Sequence, residues 1–265
     1  MRFAIAIPTD ADSWRLVQRA EELGFSRAWF YDTQMLSADP FVAMAAAALK
    51  TTRIRLGTGV LIPSNRIAPV AANAFASLNK LAPGRIDFGV GTGFTGRRAM
   101  GLGAVKLADM EEYVRTVMAL LREETVEADI DGKRRLIRLL NPELGLINTK
   151  DPIGLYVAAA GPRARRLTAR LGAGWIATTA DVASGSAALD EMRREWSAAG
   201  HEHDALISCG PRGKSGTPAA SNACSIFCGI SPASSLAAKI ACRASASIAC
   251  AHWVADSGCI WIVTS

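Results

Sequence analysis

Two strand-like runs, one helix apart, each carry the tripeptide Gly-Thr-Gly. The first spans Ile54–Val60 with Gly57-Thr58-Gly59, and the second spans Ile86–Gly93 with Gly91-Thr92-Gly93. Between them Val70, Ala74, Leu78 and Leu81 recur at the spacing of an amphipathic helix. The unit is βαβ, so its two strands must run parallel through a right-handed crossover. Glycines at the carboxyl ends of neighbouring parallel strands ease tight turns or let a ligand approach the backbone, at the end of the sheet where α/β proteins place their sites. On these residues both readings stand.

The same alternation runs through the first 209 positions. Strand Phe3–Ile7 precedes a helix near Asp12–Leu23, and strand Ala28–Tyr31 leads to Asp32. Asp39-Pro40 caps a helix that ends at Lys50, with proline at its first position. Leu107, Met110, Val114, Val117, Met118 and Leu121 form the stripe of a longer helix. Thr125–Asp131 and Leu136–Leu140, joined at Asp131-Gly132, read as an excursion with a turn. Strands Leu155–Ala159, Trp175–Thr178 and Ala205–Ser208 follow, separated by a basic helix and by a helix ending at Ala199-Gly200. The pattern predicts a (β/α)₈ barrel or an open doubly wound sheet. Seven strands at most precede position 210, so an eight-stranded barrel is incomplete at its C-terminus.

The chain has 265 residues, half of them hydrophobic and 20% charged, which suits a globular protein. The net charge of +6 includes no block of five like charges. It marks a solvated basic face, or else an anionic cofactor or substrate. Aromatic and basic residues do not interleave, which argues against nucleic acid. No apolar run reaches the ~18 residues of a membrane span. Met1–Pro8 reads as a first buried strand rather than a leader. A cytoplasmic protein acting on a small molecule is expected.

Composition breaks near position 210. All six cysteines (Cys209, Cys224, Cys228, Cys242, Cys250, Cys259) lie beyond position 208, and from Gly210 onward only Arg212, Lys214, Lys239, Arg243 and Asp256 carry charge. Cys224, Cys228 and His252 match no zinc module with both knuckles. Two regions are therefore expected. Residues 1–209 form the α/β barrel region, and 210–265 form an Ala/Ser/Cys-rich tail from a shifted reading frame or an unrelated extension. Such a tail would have to supply the missing strand, from Ser225–Ile230 or Cys259–Thr264, and is expected to pack weakly.

Gly161-Pro162-Arg163 opens a helix at the end of a strand. Free N–H groups, the helix dipole and Arg163 make an anion pocket there, unless this is an ordinary connection with surface arginines. Asp32 follows a strand directly, as a ligand-orienting carboxylate or a turn residue. His201 and His203 flank Glu202 in a segment that reads as a solvated loop. No nucleophile elbow, P-loop or H-E-x-x-H occurs. Gly89-x-Gly91-x-x-Phe94 lacks the last glycine of a dinucleotide fingerprint.

Several segments together resemble the bacterial-luciferase-like flavin-dependent family. They are Arg55–Val60, Pro63, Pro69, Ala76-Ser77-Leu78, Gly84-Arg85, Gly89–Gly93, Glu22–Phe25, Ala160–Arg163 and Leu171–Trp175. The likeness covers roughly residues 1–205 and is nearest to the coenzyme F420 (deazaflavin) branch, which includes methylenetetrahydromethanopterin reductases and sugar-phosphate dehydrogenases. It implies a TIM barrel of the luciferase-like type, incomplete at the C-terminus and often dimeric, that moves a hydride between F420 and an organic substrate. FMN with monooxygenase chemistry is the alternative, and a truncated non-catalytic remnant is another. By the resemblance, Gly59 and Val60 hold a bulge with a cis peptide behind the ring, and Asp32 hydrogen-bonds the ring system. Thr92, Gly93 and Arg97 line the coenzyme, while Ala160, Gly161, Arg163, Ala164 and Thr178 cradle its phosphate. Thr33 stands where sugar-phosphate dehydrogenases carry a catalytic His, Phe94 where they carry an acidic residue, and Asp181 where they carry a phosphate-binding Lys. A sugar phosphate is therefore a doubtful substrate. The catalytic residues are not identified, and no metal is expected.

Overall fold

Strand and helix alternate from Arg2 onward in the computed structural model, which describes residues 2–179, 182–202, 205–209 and 259–264. In chain order the elements begin β1 (Arg2–Ile7), α1 (Ser13–Glu22), β2 (Arg27–Phe30), α2 (Pro40–Lys50), β3 (Arg55–Thr58), α3 (Ala68–Leu81) and β4 (Ile86–Val90). Next come α4 (Phe94–Ala99), α5 (Leu107–Leu121), β5 (Val126–Ile130), β6 (Lys133–Ile137), β7 (Gly154–Ala158) and α6 (Pro162–Arg170). The last are β8 (Gly174–Thr179), α7 (Val182–Ala198), β9 (Ala205–Cys209) and β10 (Cys259–Thr264).

Eight strands close a ring in the order β1, β2, β3, β4, β7, β8, β9, β10. From β1 round to β9 each pairs parallel with the next. The regular repeat stops there, at the seventh strand, as the pattern predicts. The eighth place is held by β10, antiparallel to both β9 and β1. This is one of the two strand-like runs expected of the tail. The other, Ser225–Ile230, lies outside the described residues, as do His203, Cys224, Cys228, Cys242, Cys250 and His252.

The excursion is a separate antiparallel pair, β5 with β6. Its turn residues Asp131 and Gly132 both have positive φ (56° and 71°), which a tight two-residue hairpin requires. At α2 the Asp39 carboxylate accepts from the N–H groups of Phe41 (2.8 Å) and Val42 (3.3 Å), so the expected cap forms.

Because successive residues of a strand face opposite sides, the ring has two cores. Outward, Ile5, Ile7, Phe30, Leu56, Phe88 and Val90 meet Met44, Phe75, Val114 and Val117 of the helices. Inward, the cluster is Ala4, Ala6, Trp29, Tyr156 and Ile176. The stripe expected on α5 is the buried one at Met110, Val114, Val117 and Leu121. On α3 the helix forms where expected, but only part of the expected stripe is buried. Leu78 is buried and Ala74 half-buried, whereas Val70 and Leu81 are exposed, and Ala71, Ala72, Phe75, Ala76 and Asn79 complete the inner face. Small side chains let α3 lie close to its neighbours, so alanines take the places of Val70 and Leu81 on that face.

The floor of the barrel is charged. Asp87, almost fully buried, accepts from Arg27 Nε (3.1 Å) and from Arg55 Nε (3.0 Å) and Nη2 (2.6 Å). It thereby ties together the first turns of β2, β3 and β4. Asp87→Ala would remove the shared anion from the buried Arg27 and the part-buried Arg55, and a loss of about 3–5 kcal/mol in denaturant unfolding is expected.

Glu21 of α1 holds the entry to β3, its carboxylate accepting N–H bonds from Thr52 (3.0 Å), Arg53 (2.6 Å) and Ile54 (2.8 Å). Burial works to raise its pKa, and those three bonds, Ile54 first, outweigh it and leave the pKa below the usual 4.5. A depressed folded-state pKa stabilises above the unfolded value and is lost as pH falls through the folded one. The melting-temperature gap between wild type and Glu21→Gln should hold steady above about pH 4.5 and close below it.

Candidate cofactor site at the carboxyl rim of the barrel

Seven parallel strands put seven carboxyl ends at one rim. Among the residues placed there are Asp32 after β2, Gly59-Val60 after β3, Gly91-Thr92-Gly93 after β4, Ala160-Gly161 after β7 and Thr178 near the end of β8. The chain after β3 does not leave the ring at once. Gly57 pairs with Asp87, and the next bridge joins Leu61 to Val90, so β3 spends four residues where β4 spends three. The extra residue makes a bulge. The Gly59–Val60 peptide within it is cis, as the resemblance implies.

Thr58 repairs the ladder at this point. Its hydroxyl, fully buried, donates to Gly89 O (2.7 Å) and accepts from Gly89 N (3.1 Å). The hydroxyl supplies Gly89 N–H with the partner that the bulge removes and shares Gly89 O with Leu61 N (2.8 Å). The middle residue of the first Gly-Thr-Gly run is thus structural, a role that sequence alone did not assign.

Asp32 is 4% exposed and organises the segment after the bulge. It accepts from Ile62 N (3.0 Å), Asn65 Nδ2 (3.1 Å) and Arg66 Nη1 (3.2 Å). Arg66 also pairs with Asp39, and Asn65 donates to Gln34 (2.8 Å). Burial works against the Arg66 charge, and the two carboxylates, Asp32 first, outweigh it and raise the pKa.

Beside this hub the strand ends pack tightly. A methyl on Gly91 would sit 2.5 Å from Val60 Cγ2 and 3.3 Å from Ala158 Cβ. At Gly93, φ is +78°, and an added Cβ would lie 2.6 Å from Ile62 and 3.0 Å from Arg97. Thr92 O accepts from Val105 N (2.9 Å), and Arg97 donates to Gly103 O, which pins the loop after α4. Asp32, Gly59, Val60, Gly93 and Arg97 therefore form one contiguous group through Ile62.

Across the rim, α6 begins at Pro162 after Gly161, and among the described residues no side chain caps its first N–H groups. Arg163 is exposed and makes no ion pair among the described residues. Arg165 is already engaged by Ala160 O (2.8 Å) and Glu191 (2.5 Å). Among the described residues, nothing lies within 4 Å of a Cβ built on Gly161. Asp181 falls outside the described residues.

The glycines inside the ring need a different account from the turn or ligand readings. A Cβ on Gly57 would lie 2.6 Å from Trp29 Cζ3, and one on Gly89 would lie 2.0 Å from Thr58 O and 3.1 Å from Trp29 Cζ3. These two clear space for an indole of the protein itself.

Thr58→Val keeps the shape and removes both bonds to Gly89. A loss of about 1–3 kcal/mol in thermal or denaturant unfolding is expected, since the buried Gly89 N–H would lose its partner, while Gly89 O keeps the bond from Leu61 N.

Comparison with known proteins agrees with the geometry. Residues 7–211 match the family described as luciferase-like monooxygenase. An F420-dependent glucose-6-phosphate dehydrogenase of Beutenbergia cavernae is 41% identical over 51% of this chain and 41% of its own length. An F420-dependent hydroxymycolic acid dehydrogenase of Mycobacterium tuberculosis is 31% identical over 62% of this chain and 48% of its own. The chain thus spans about half the length of these curated relatives. A solved monooxygenase from Streptomyces bottropensis superposes with a TM-score of 0.61 at 27% identity, covering 72% of this chain and 60% of that one. With the barrel, the bulge and a match across most of its length, the chain belongs to the luciferase-like monooxygenase family.

Proposed function

We propose that this protein is an oxidoreductase that binds coenzyme F420 at the carboxyl rim and transfers a hydride between it and a small organic molecule. The observation that carries the reading is the pairing of two features on that rim. One is a backbone bulge at Gly59-Val60 supported from below. The other is the N-terminus of α6, where among the described residues no side chain caps the helix and Arg163 makes no ion pair. A flat ring with a phosphate-bearing tail needs both, so the residues fit the group. Relatives named as F420-dependent dehydrogenases support the choice of coenzyme.

Within this reading Gly59 and Val60 back the ring, and Thr92, Gly93 and Arg97 border it. The N–H groups of Arg163 and Ala164, the Arg163 guanidinium, Ala160, Gly161 and Thr178 hold the phosphate. Asp32 keeps the wall at Ile62 in place from beneath. When bound, the coenzyme supplies the two-electron centre. The protein's share is to orient the two partners and exclude water between them. Thr33 offers no imidazole, and Phe94, 64% exposed, offers no acid, which argues against a sugar phosphate as the substrate.

A second reading is FMN-dependent monooxygenation, favoured by the fold neighbour from Streptomyces bottropensis. A non-catalytic remnant is the third. Exposed Val42 and Leu49 on α2 with Ile67 and Val70 at α3 support assembly as a homodimer. No helix among the described residues is long and apolar enough to cross a membrane, and a cytoplasmic location belongs to the same proposal.

Titration with F420 or FMN, followed by quenching of tryptophan fluorescence, separates these readings. F420 is expected to bind. Tighter binding of FMN would favour the monooxygenase, and binding of neither would favour the remnant. In the F420 titration Arg163→Glu should weaken affinity by about 2–3 kcal/mol, because a charge-assisted contact becomes a repulsion. Unchanged affinity would remove Arg163 from the phosphate site.

A further inference from the structure

The interior of the barrel is filled in an unusual way. Parallel barrels generally pack bulky branched side chains in layers. Here Ala4, Ala6, Gly57 and Gly89 are the inward residues around Trp29, and its indole occupies the space that these small residues leave. Trp29 is 2% exposed. Its outer edge lies against Gly57 and Gly89, and its Cβ would be 2.8 Å from a Cβ on Gly59. On the far side its ring meets Tyr156 edge-on, with centroids 5.1 Å apart at 75°. Tyr156 in turn lies under the Arg27 guanidinium, 5.4 Å from the ring centre. A column thus runs from the charged floor at Arg27 and Asp87, through Tyr156 and Trp29, to the bulge at Gly59.

The indole N–H is buried and makes no hydrogen bond among the described residues. Burying an unpaired donor is unfavourable, so hydrogen bonding does not account for an indole at this position. Size and flatness do. Gly57 and Gly89 leave room for the six-membered ring, and Gly59 leaves room for Trp29 Cβ.

We propose that Trp29 is a positioning residue that sets the height of the Gly59–Val60 bulge and so the floor on which the coenzyme ring rests. The inference rests on the coenzyme reading above. Trp29 touches neither coenzyme nor substrate. Its Cβ meets Gly59, and its six-membered ring acts through Gly57 and Gly89, the strand residues that flank the bulge. Shortening it removes the ring that spaces those two strands beneath the bulge and misplaces the coenzyme ring, a displacement to which transfer between held reactants is sensitive.

The test has two arms. The first needs no coenzyme and is a double-mutant cycle of Gly57→Ala with Trp29→Leu, read by thermal unfolding. Gly57→Ala should lower the melting temperature sharply with Trp29 present. It should do so much less in the Trp29→Leu background, which lacks the Cζ3 and Cε3 atoms that the new methyl meets. Additive effects would overturn the column. The second arm measures F420 affinity by calorimetry for wild type, Trp29→Phe and Trp29→Leu. The dissociation constant should rise about tenfold or more for Trp29→Leu, in line with the penalty for misplacement, and less for Trp29→Phe, which restores part of the support. Val17→Ala, a truncation beneath α1 far from the interior, should lower the melting temperature and leave affinity unchanged. Wild-type affinity in both Trp29 variants would overturn the proposal while the coenzyme reading stands. Failure of the wild-type chain to bind F420 would overturn both.

Discussion

The carboxylate of Asp87 is the interaction on which the remaining architecture depends. A parallel ring needs its strands in register before its upper rim can present anything, and Asp87 fixes three of them at once through Arg27 and Arg55. Two cations share one buried anion, so the arrangement is held by the high cost of separating any member. Arg55 adds bonds to the carbonyls of Gly84 and Ile86, which anchor the turn before β4. The floor is thereby the rigid end of the barrel, and departures from regular geometry gather at the opposite end.

Those departures share one cause. β3 carries one residue more than β4 across the bulge, and three devices absorb the surplus. Thr58 completes the ladder with its hydroxyl. Asp32 takes up the N–H of Ile62 and fixes the chain that leaves the bulge. Trp29 fills the interior beneath it. Each works from a different side of the same short segment, which is how an irregular stretch of backbone comes to be closely packed.

Much of this was legible in the sequence because it depends on neighbours along the chain. Alternation of strand and helix follows from hydrophobic period, the α5 stripe from residues three and four apart, and the β5–β6 turn from Asp131-Gly132. The cap of α2 follows from Asp39-Pro40, and the stop of the parallel repeat follows from a count of strands before the composition changes. Local chemistry sets each of these, and tertiary packing did not overrule it. The ends of the strands, and with them the rim positions Asp32, Gly59 and Gly161, come from the same reading.

What only the tertiary structure decided involves residues far apart in the chain. The buried face of α3 is set by how close the helix lies to its neighbours, and in an alanine-rich helix the period alone does not say which face is inward. Gly57 and Gly89 read as turn or ligand glycines until the ring brings Trp29, from two strands before β4, against both of them. Asp32 acquires its partners at Ile62, Asn65 and Arg66 only when β2 and β3 lie side by side. The sequence by itself determined which segments become strands and helices, because hydrogen bonding and periodic burial act locally. The folded ring decided which side chains share the interior and the rim, because that depends on register and on space, and neither is a property of any single segment.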